Sequence, residues 1–209
     1  HSPSQSRNTP LIQNTPPVTS EPLSLEQLRA FIGDCTRCPL HSGRKNIVFG
    51  EGNPTPDLVM VGEGPGFDED RLGRPFVGRA GQLLDKIIAA MGLKREELYI
   101  CNVVKCRPPQ NRDPEPDETE ICGRFLKQQI SILKPKMILS LGRISGRYLT
   151  GNDSASIRSM RGKFHSWNGF PVRVTYHPAA ILRNREYRRP VWEDVQTVMA
   201  ELGRPLKRS

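Results

Sequence analysis

Apolar residues recur along this chain with two different periods, and the alternation between them predicts its elements. Leu25, Leu28, Phe31 and Ile32 stand at helical spacing behind a Ser24-x-x-Gln27 capping box. Asp57-Leu-Val-Met-Val-Gly62 is a short unbroken apolar run that ends in glycine, as a buried strand does. Residues 78–91 return to the helical period through Leu83, Leu84, Ile87, Ile88 and Met91, and Gly92 closes them. Residues 98–104 form a second apolar strand. Residues 117–133 predict a helix that opens with Asp117-x-x-Glu120 and carries Ile121, Phe125, Leu126, Ile130 and Leu133. A third strand spans 136–142 and leads into a short helix ending near Leu149. A fourth strand spans 170–175, and 191–202 is a closing helix.

Strands alternating with helices predict an α/β fold: a central, mostly parallel four-stranded sheet with helices on both faces. The Trp167-Asn-Gly169 turn adds one local hairpin, pairing Lys163–Ser166 with the fourth strand. No repeat is visible, and the length of 209 residues suits one domain over 24–209. The first two dozen residues are rich in Ser, Pro, Thr and Asn with no apolar period, so 1–23 is expected to be a disordered tail. In parallel sheets ligands bind outside the carboxyl ends of the strands. Gly62-Glu63, Asn102 and His177 all fall at such ends, which predicts one site.

Charge narrows the partner. Lys and Arg number 31 against 22 Asp and Glu, a net +9, which favours a polyanion. Arg183, Arg185, Arg188 and Arg189 lie within seven residues of one another, and Arg143, Arg147, Arg158, Arg161 and Lys163 form a second group. Acidic residues concentrate instead between Asp113 and Glu120. A basic and an acidic face on one domain favour nucleic acid over a membrane. No apolar run approaches membrane-spanning length, and the start has no secretory pattern.

Four cysteines give the chemistry its first definite shape. Cys35-x2-Cys38 and Cys106-x15-Cys122 can converge on one tetrahedral thiolate site, holding either an iron–sulfur cluster or a structural zinc. Zinc modules present two short knuckles, and the second pair here is too widely spaced for one, which favours iron–sulfur. Such thiolates need a reducing compartment, so a cytosolic location is expected. Cys101 sits in the apolar run Leu98–Val104 and reads as core.

Gly62-x-Gly64 after a strand invites a dinucleotide reading, but Phe67 takes the place of the third glycine, and no phosphate-loop Gly-Lys-Ser/Thr follows. The longer pattern is more specific. Gly62-Glu-Gly-Pro-Gly-Phe-Asp-Glu-Asp70, Gly73-Arg-Pro-Phe-Val-Gly-Arg-Ala-Gly81, Asn102-Val-Val-Lys-Cys-Arg-Pro-Pro109 and Tyr176-His-Pro-Ala-Ala-Ile-Leu-Arg183 together resemble the family 4 uracil-DNA glycosylases over about residues 24–202. The resemblance implies a three-layer α/β/α fold and a structural [4Fe–4S] cluster on Cys35, Cys38, Cys106 and Cys122. It further implies a monomeric enzyme that excises uracil from single- or double-stranded DNA. A base pocket would draw on Gly62, Gly64, Glu69, Phe76, Asn102 and His177. His177 suits a donor to the uracil O2 carbonyl, Asn102 the Watson–Crick edge, and Phe76 the flat face of the base. Glu63 is the second catalytic candidate, as a water-positioning or cation-stabilising carboxylate. A related family carries its catalytic Asp one position later, where this chain has Gly64, and its thymine-blocking Tyr where this chain has Gly66. Glu69 is the residue the resemblance suggests for thymine exclusion.

On the DNA side, Arg183 and Arg185 are expected at phosphates. Ala180-Ile181-Leu182 reads either as an apolar wedge for the minor groove or as a helix start. Two other classes compete. One is a relative that captures uracil covalently on a His in an inserted basic loop; here Lys105 runs straight into Cys106-Arg-Pro-Pro without such an insertion. The other is a non-enzymatic iron–sulfur DNA-binding protein, against which the full set Glu63, Phe76, Asn102 and His177 weighs.

Overall fold

A computed structural model describes residues 24–206, so the tail expected over 1–23 lies outside the described residues. The elements run α1 Leu25–Ile32, β1 Glu51–Gly52, β2 Leu58–Gly62, α2 Phe67–Leu72, α3 Arg79–Ala90, β3 Tyr99–Asn102, α4 Pro116–Leu133, β4 Met137–Leu141, α5 Arg143–Thr150, α6 Ile157–Met160, β5 Phe164–Trp167, β6 Phe170–Thr175, α7 Pro178–Arg183 and α8 Arg188–Glu201. One sheet in the order β1-β3-β2-β4-β6-β5 holds all the strands.

The inner four strands are the four expected, and all their pairings are parallel. The sheet has six strands in place of the expected central four: β5 is the strand of the expected hairpin, and β1 is the one that was not expected. β5 is the hairpin partner of β6, joined through Asn168 and Gly169 at φ 49° and 85°, the left-handed pair that a two-residue turn requires. β1 is two residues long and antiparallel to β3. It carries no apolar signal because backbone approach makes it: a Cβ on Gly52 would lie 2.0 Å from the Leu98 carbonyl oxygen.

Alternation along the inner strands divides the core in two. Val59, Val61, Cys101, Ile138, Val172 and Val174 face α1, α4 and α5. Leu58, Met60, Ile100, Met137, Leu139 and Leu141 face α3, α7 and α8. The result is a three-layer α/β/α molecule whose central strands are buried on both faces, which is why they read as continuous apolar runs. Among the described residues no helix is long and apolar enough to cross a membrane.

Several boundaries shift for physical reasons. α4 begins at Pro116 behind a Glu115/Glu118 capping box rather than at Asp117, and Arg112 grips Glu118 through two hydrogen bonds of 2.8 and 2.7 Å. The acidic stretch is therefore a helix start, where carboxylates suit the helix dipole. α8 starts earlier than expected because Pro190 is tolerated in a first turn. Under β6, buried Asp194 accepts from Arg161 (2.7 Å), Arg173 (2.9 Å) and Thr175 (2.8 Å). That takes Arg161 out of the expected basic surface group.

Candidate active site and cysteine cavity

The carboxyl ends of the parallel strands open into a cleft of about 850 Å³, lined by Glu63, Glu69, Phe76, Asn102, His177 and Arg183 among others. Parallel register puts Gly62 of β2 directly beside Asn102 of β3. Gly62 has no room for a side chain, since a Cβ there would lie 2.4 Å from Asn102 Oδ1 and 2.6 Å from the Phe76 ring. Asn102 is 1% exposed. Among the described residues only its Oδ1 and Gln128 Oε1 are buried side-chain atoms without a hydrogen-bond partner. A buried acceptor left unpaired costs about 1–3 kcal/mol, and this one lines the cleft. It is poised for a donor that the protein does not supply.

His177 caps α7. Its Nδ1 accepts the Ala179 backbone N–H at 3.1 Å, which puts the ring proton on Nε2. Burial, with a smaller push from Arg183, holds its pKa down to about 4. The ring is thus a neutral N–H donor at physiological pH. Glu63 behaves oppositely: burial and the nearby Asp113 carboxylate raise its pKa to about 7, against a lowering by Arg143. Arg143 and Asp113 pair with each other at 2.5 Å on the cleft wall. Sequence reasoning put Arg143 among surface cations and Asp113 in an acidic run, so their joint effect on Glu63 was invisible.

Phe76 is held where a non-glycine residue rarely sits, at φ 51°. Its ring lies 5.5 Å from that of His177 at 30° between planes. Three supports hold this conformation. Glu69 Oε1 accepts from Val77 N and Gly78 N, both at 2.8 Å. Arg95 donates to the Phe76 carbonyl at 3.2 Å and also to the Pro75 carbonyl. Gly81 lets α3 close on the loop, since a Cβ there would lie 1.9 Å from the Phe76 carbonyl oxygen. Gly64 is also packed tight, its missing Cβ falling 2.7 Å from Val104. Arg95 was missed by sequence reading because its loop partners lie about 20 residues away.

At the rim, α7 settles the helix-start alternative for 180–182, and only part of the wedge survives. Ile181 is 3% exposed and packs in the core with Val191, so it is not free to enter DNA; Leu182 is 46% exposed. Arg183 and Arg185 are exposed, and Arg183 lines the cleft. Phe67, also on the cleft wall, was read only as a substituted glycine position.

The four cysteines meet at a second, smaller cavity, walled also by Ile32, Ile47, Lys105, Ile121 and Phe125. Among the described residues no group of three or more His, Cys, Asp or Glu side chains is drawn up around a single ion position. N–H donors point at three of the sulfurs: Arg37 to Cys35 (3.3 Å), Arg44 to Cys106 (3.5 Å) and the Lys105 backbone to Cys122 (3.2 Å). Burial pushes the Cys106 and Cys122 thiols up to about 11 and about 12, so as free groups they keep their protons, and a bound cation is what would hold them as thiolates. Four sulfurs, no carboxylate, apolar walls and donors to sulfur suit a thiolate-held cluster. Cys101 is fully buried in the core, as expected.

The profile of the Uracil DNA glycosylase superfamily matches residues 49–196. The chain is 50% identical over 175 residues to the type-4 uracil-DNA glycosylase of Thermotoga maritima, covering 82% of this chain and 91% of that protein. It is 44% identical to the type-4 enzyme of Sulfurisphaera tokodaii (84% and 83% covered) and 42% identical to that of Archaeoglobus fulgidus (86% and 92% covered).

Proposed function

We propose that this chain, which belongs to the uracil-DNA glycosylase superfamily, hydrolyses the N-glycosidic bond of uracil in DNA through Asn102, His177 and Glu63. The observation that carries the reading is that Asn102, with its unpartnered Oδ1, and His177, with its proton on Nε2, line one cleft. The target nucleotide must leave the stack to reach these groups. Once there, Asn102 Oδ1 accepts from uracil N3–H and its amide N–H donates to the neighbouring carbonyl. Cytosine cannot satisfy this pair, since its N3 is an acceptor and its exocyclic group a donor.

As the C1′–N1 bond breaks, its electron pair passes into the uracil ring and its carbonyls, leaving an oxocarbenium-like sugar. His177 meets the developing oxyanion with Nε2–H. Because it is neutral, it strengthens this bond as charge grows and needs no imidazolium proton to surrender. Ionised Glu63 faces the cationic sugar and orients water, whose oxygen bonds to C1′ while its proton leaves to the carboxylate or solvent. Gly62 lets Asn102 and Phe76 close up against β2, Gly64 lets its loop pack on Val104, Phe76 supplies an apolar wall, and Glu69 fixes that wall against the thymine methyl. Cys35, Cys38, Cys106 and Cys122 would hold a [4Fe–4S] cluster, whose contribution there is to tie the 35–38 loop to the exit of β3 and to α4.

The test is single-turnover excision from oligonucleotides carrying uracil, thymine or cytosine, read as alkali-labile abasic sites. His177→Ala is expected to slow uracil excision by ~10²–10³, the loss typical of one oxyanion donor, with DNA affinity little changed. Asn102→Asp is expected to gain cytosine excision. A wild-type protein that leaves no abasic site in any uracil substrate overturns the reading.

A further inference from the structure

We propose that Phe67, flanked by Lys45 and Arg107, is a stacking platform for an unpaired base beside the extruded uridine, an inference that rests on the uracil-excision reading. Phe67 opens α2 and is 53% exposed on the wall of the cleft. At that exposure its ring contributes little to the core, so folding does not account for an aromatic residue there. Two cations from separate segments lie over the ring: Arg107 Cζ is 5.2 Å and Lys45 Nζ 5.8 Å from its centre. Both are long side chains, so an arriving base displaces a cation from the ring, stacks in its place and leaves the cation to meet the adjoining phosphate. A base already stacked on both faces within a duplex cannot use such a ring, which selects a single-stranded or locally opened partner.

The parts are held in place in advance. Buried Asp70 accepts from the backbone N–H groups of Lys45 (2.8 Å) and Asn46 (3.2 Å), and Asn46 Nδ2 donates to the Asp70 carbonyl (2.8 Å), locking the lysine's loop onto α2. Arg107 Nε donates to Asn111 Oδ1 at 2.7 Å. Asp68, the carboxylate next to Phe67, is engaged by Arg71 at 3.7 Å. In the sheet, the exits of β2 and β3, which lead to Phe67 and Arg107, are separated by β4 from the exit of β6, which leads to Leu182 and Arg183. A strand crossing the cleft therefore meets Leu182 and Arg183 on one side of the uridine and the Phe67 platform on the other.

The experiment measures binding of a uracil-free single strand and of the matching duplex to wild type, Phe67→Ala and Phe67→Trp by fluorescence anisotropy at one fixed salt concentration. Phe67→Ala is expected to weaken single-strand binding about 5- to 150-fold, the range for loss of one base–aromatic stack, and duplex binding less. Phe67→Trp is expected to retain single-strand affinity. A 2-aminopurine base adjoining a non-hydrolysable 2′-fluoro-deoxyuridine should be quenched by wild type and by Phe67→Trp but not by Phe67→Ala. Thermal melting of Phe67→Ala checks that the variant is folded. Unchanged single-strand binding by folded Phe67→Ala, or equal losses on single strand and duplex, overturns the platform. Because the strand in the binding arm lacks uracil, this outcome is independent of whether wild type leaves abasic sites.

Discussion

Two groups in the cleft, Glu63 at about 7 and His177 at about 4, titrate on opposite sides of their ordinary ranges. Excision that depends on ionised Glu63 should rise as pH passes about 7, and Glu63→Gln should flatten that limb. His177 should add no limb near 6.5. Single-turnover rates between pH 5 and 9 check both. Stability carries the same signature. Between the ordinary value of about 4.5 and about 7 the native Glu63 binds more proton than the unfolded chain, so its contribution is full in acid and lost as pH rises through 7. For His177 the unfolded chain binds more proton between about 6.5 and about 4, so stability falls as pH drops through that window. Glu63→Gln removes only the first slope. Relative to wild type it should therefore gain melting temperature at pH 8 compared with pH 5.

Short elements with strained or tightly packed backbones separate positions that a sequence pattern treats alike. Ile181 and Leu182 are neighbours in α7, one in the core and one exposed. Ile181→Ala should cost ~2–5 kcal/mol of stability, as buried truncations do. Leu182→Ala should stay within about 0.5 kcal/mol in denaturant unfolding and show its effect in binding to duplex uracil DNA. Gly81→Ala should displace the Phe76 loop, lowering both melting temperature and uracil excision. These contrasts also mark what was legible beforehand. The inner strands and the longer helices were, because continuous apolar runs and 3.6-residue periods follow directly from burial. That Asn102 and His177 would line one cleft was legible because strand ends in a parallel sheet point the same way. The α2 helix, the β1 edge and the Arg95 and Glu69 braces were not. They depend on glycine close approaches and on hydrogen bonds between distant segments, which leave no periodic trace. Ile181 misled because one apolar residue on a rim reads like another until packing chooses between them.

Over the whole molecule, a net charge of +9 does not become a DNA-binding face by count alone. Arg161 is spent on Asp194 and Arg143 on Asp113, while Arg183, on the cleft wall, and Arg185, two residues on, remain exposed. Changing those two to Ala should weaken binding to any duplex sequence. It should also reduce the salt-dependence slope by about 1.8 if both neutralise phosphates of B-DNA. Titration of affinity against salt concentration reads this directly. Cys38→Ser and Cys106→Ser should each yield protein with less iron, less acid-labile sulfide and weaker visible absorbance.

Lys105 is fully buried, with Nζ donating to the Asn102 carbonyl at 2.8 Å and to Gln129 Oε1 at 2.5 Å, while its own backbone N–H donates to Cys122. One side chain therefore anchors the backbone of Asn102 to the wall of the cysteine cavity. If the cysteines hold the proposed cluster, colour becomes a gauge of quality for anyone handling the protein. A batch bleached by air should lose uracil selectivity in proportion to its missing iron, while its helical circular dichroism still looks intact. Iron assays run beside excision assays on progressively bleached samples would trace that proportionality.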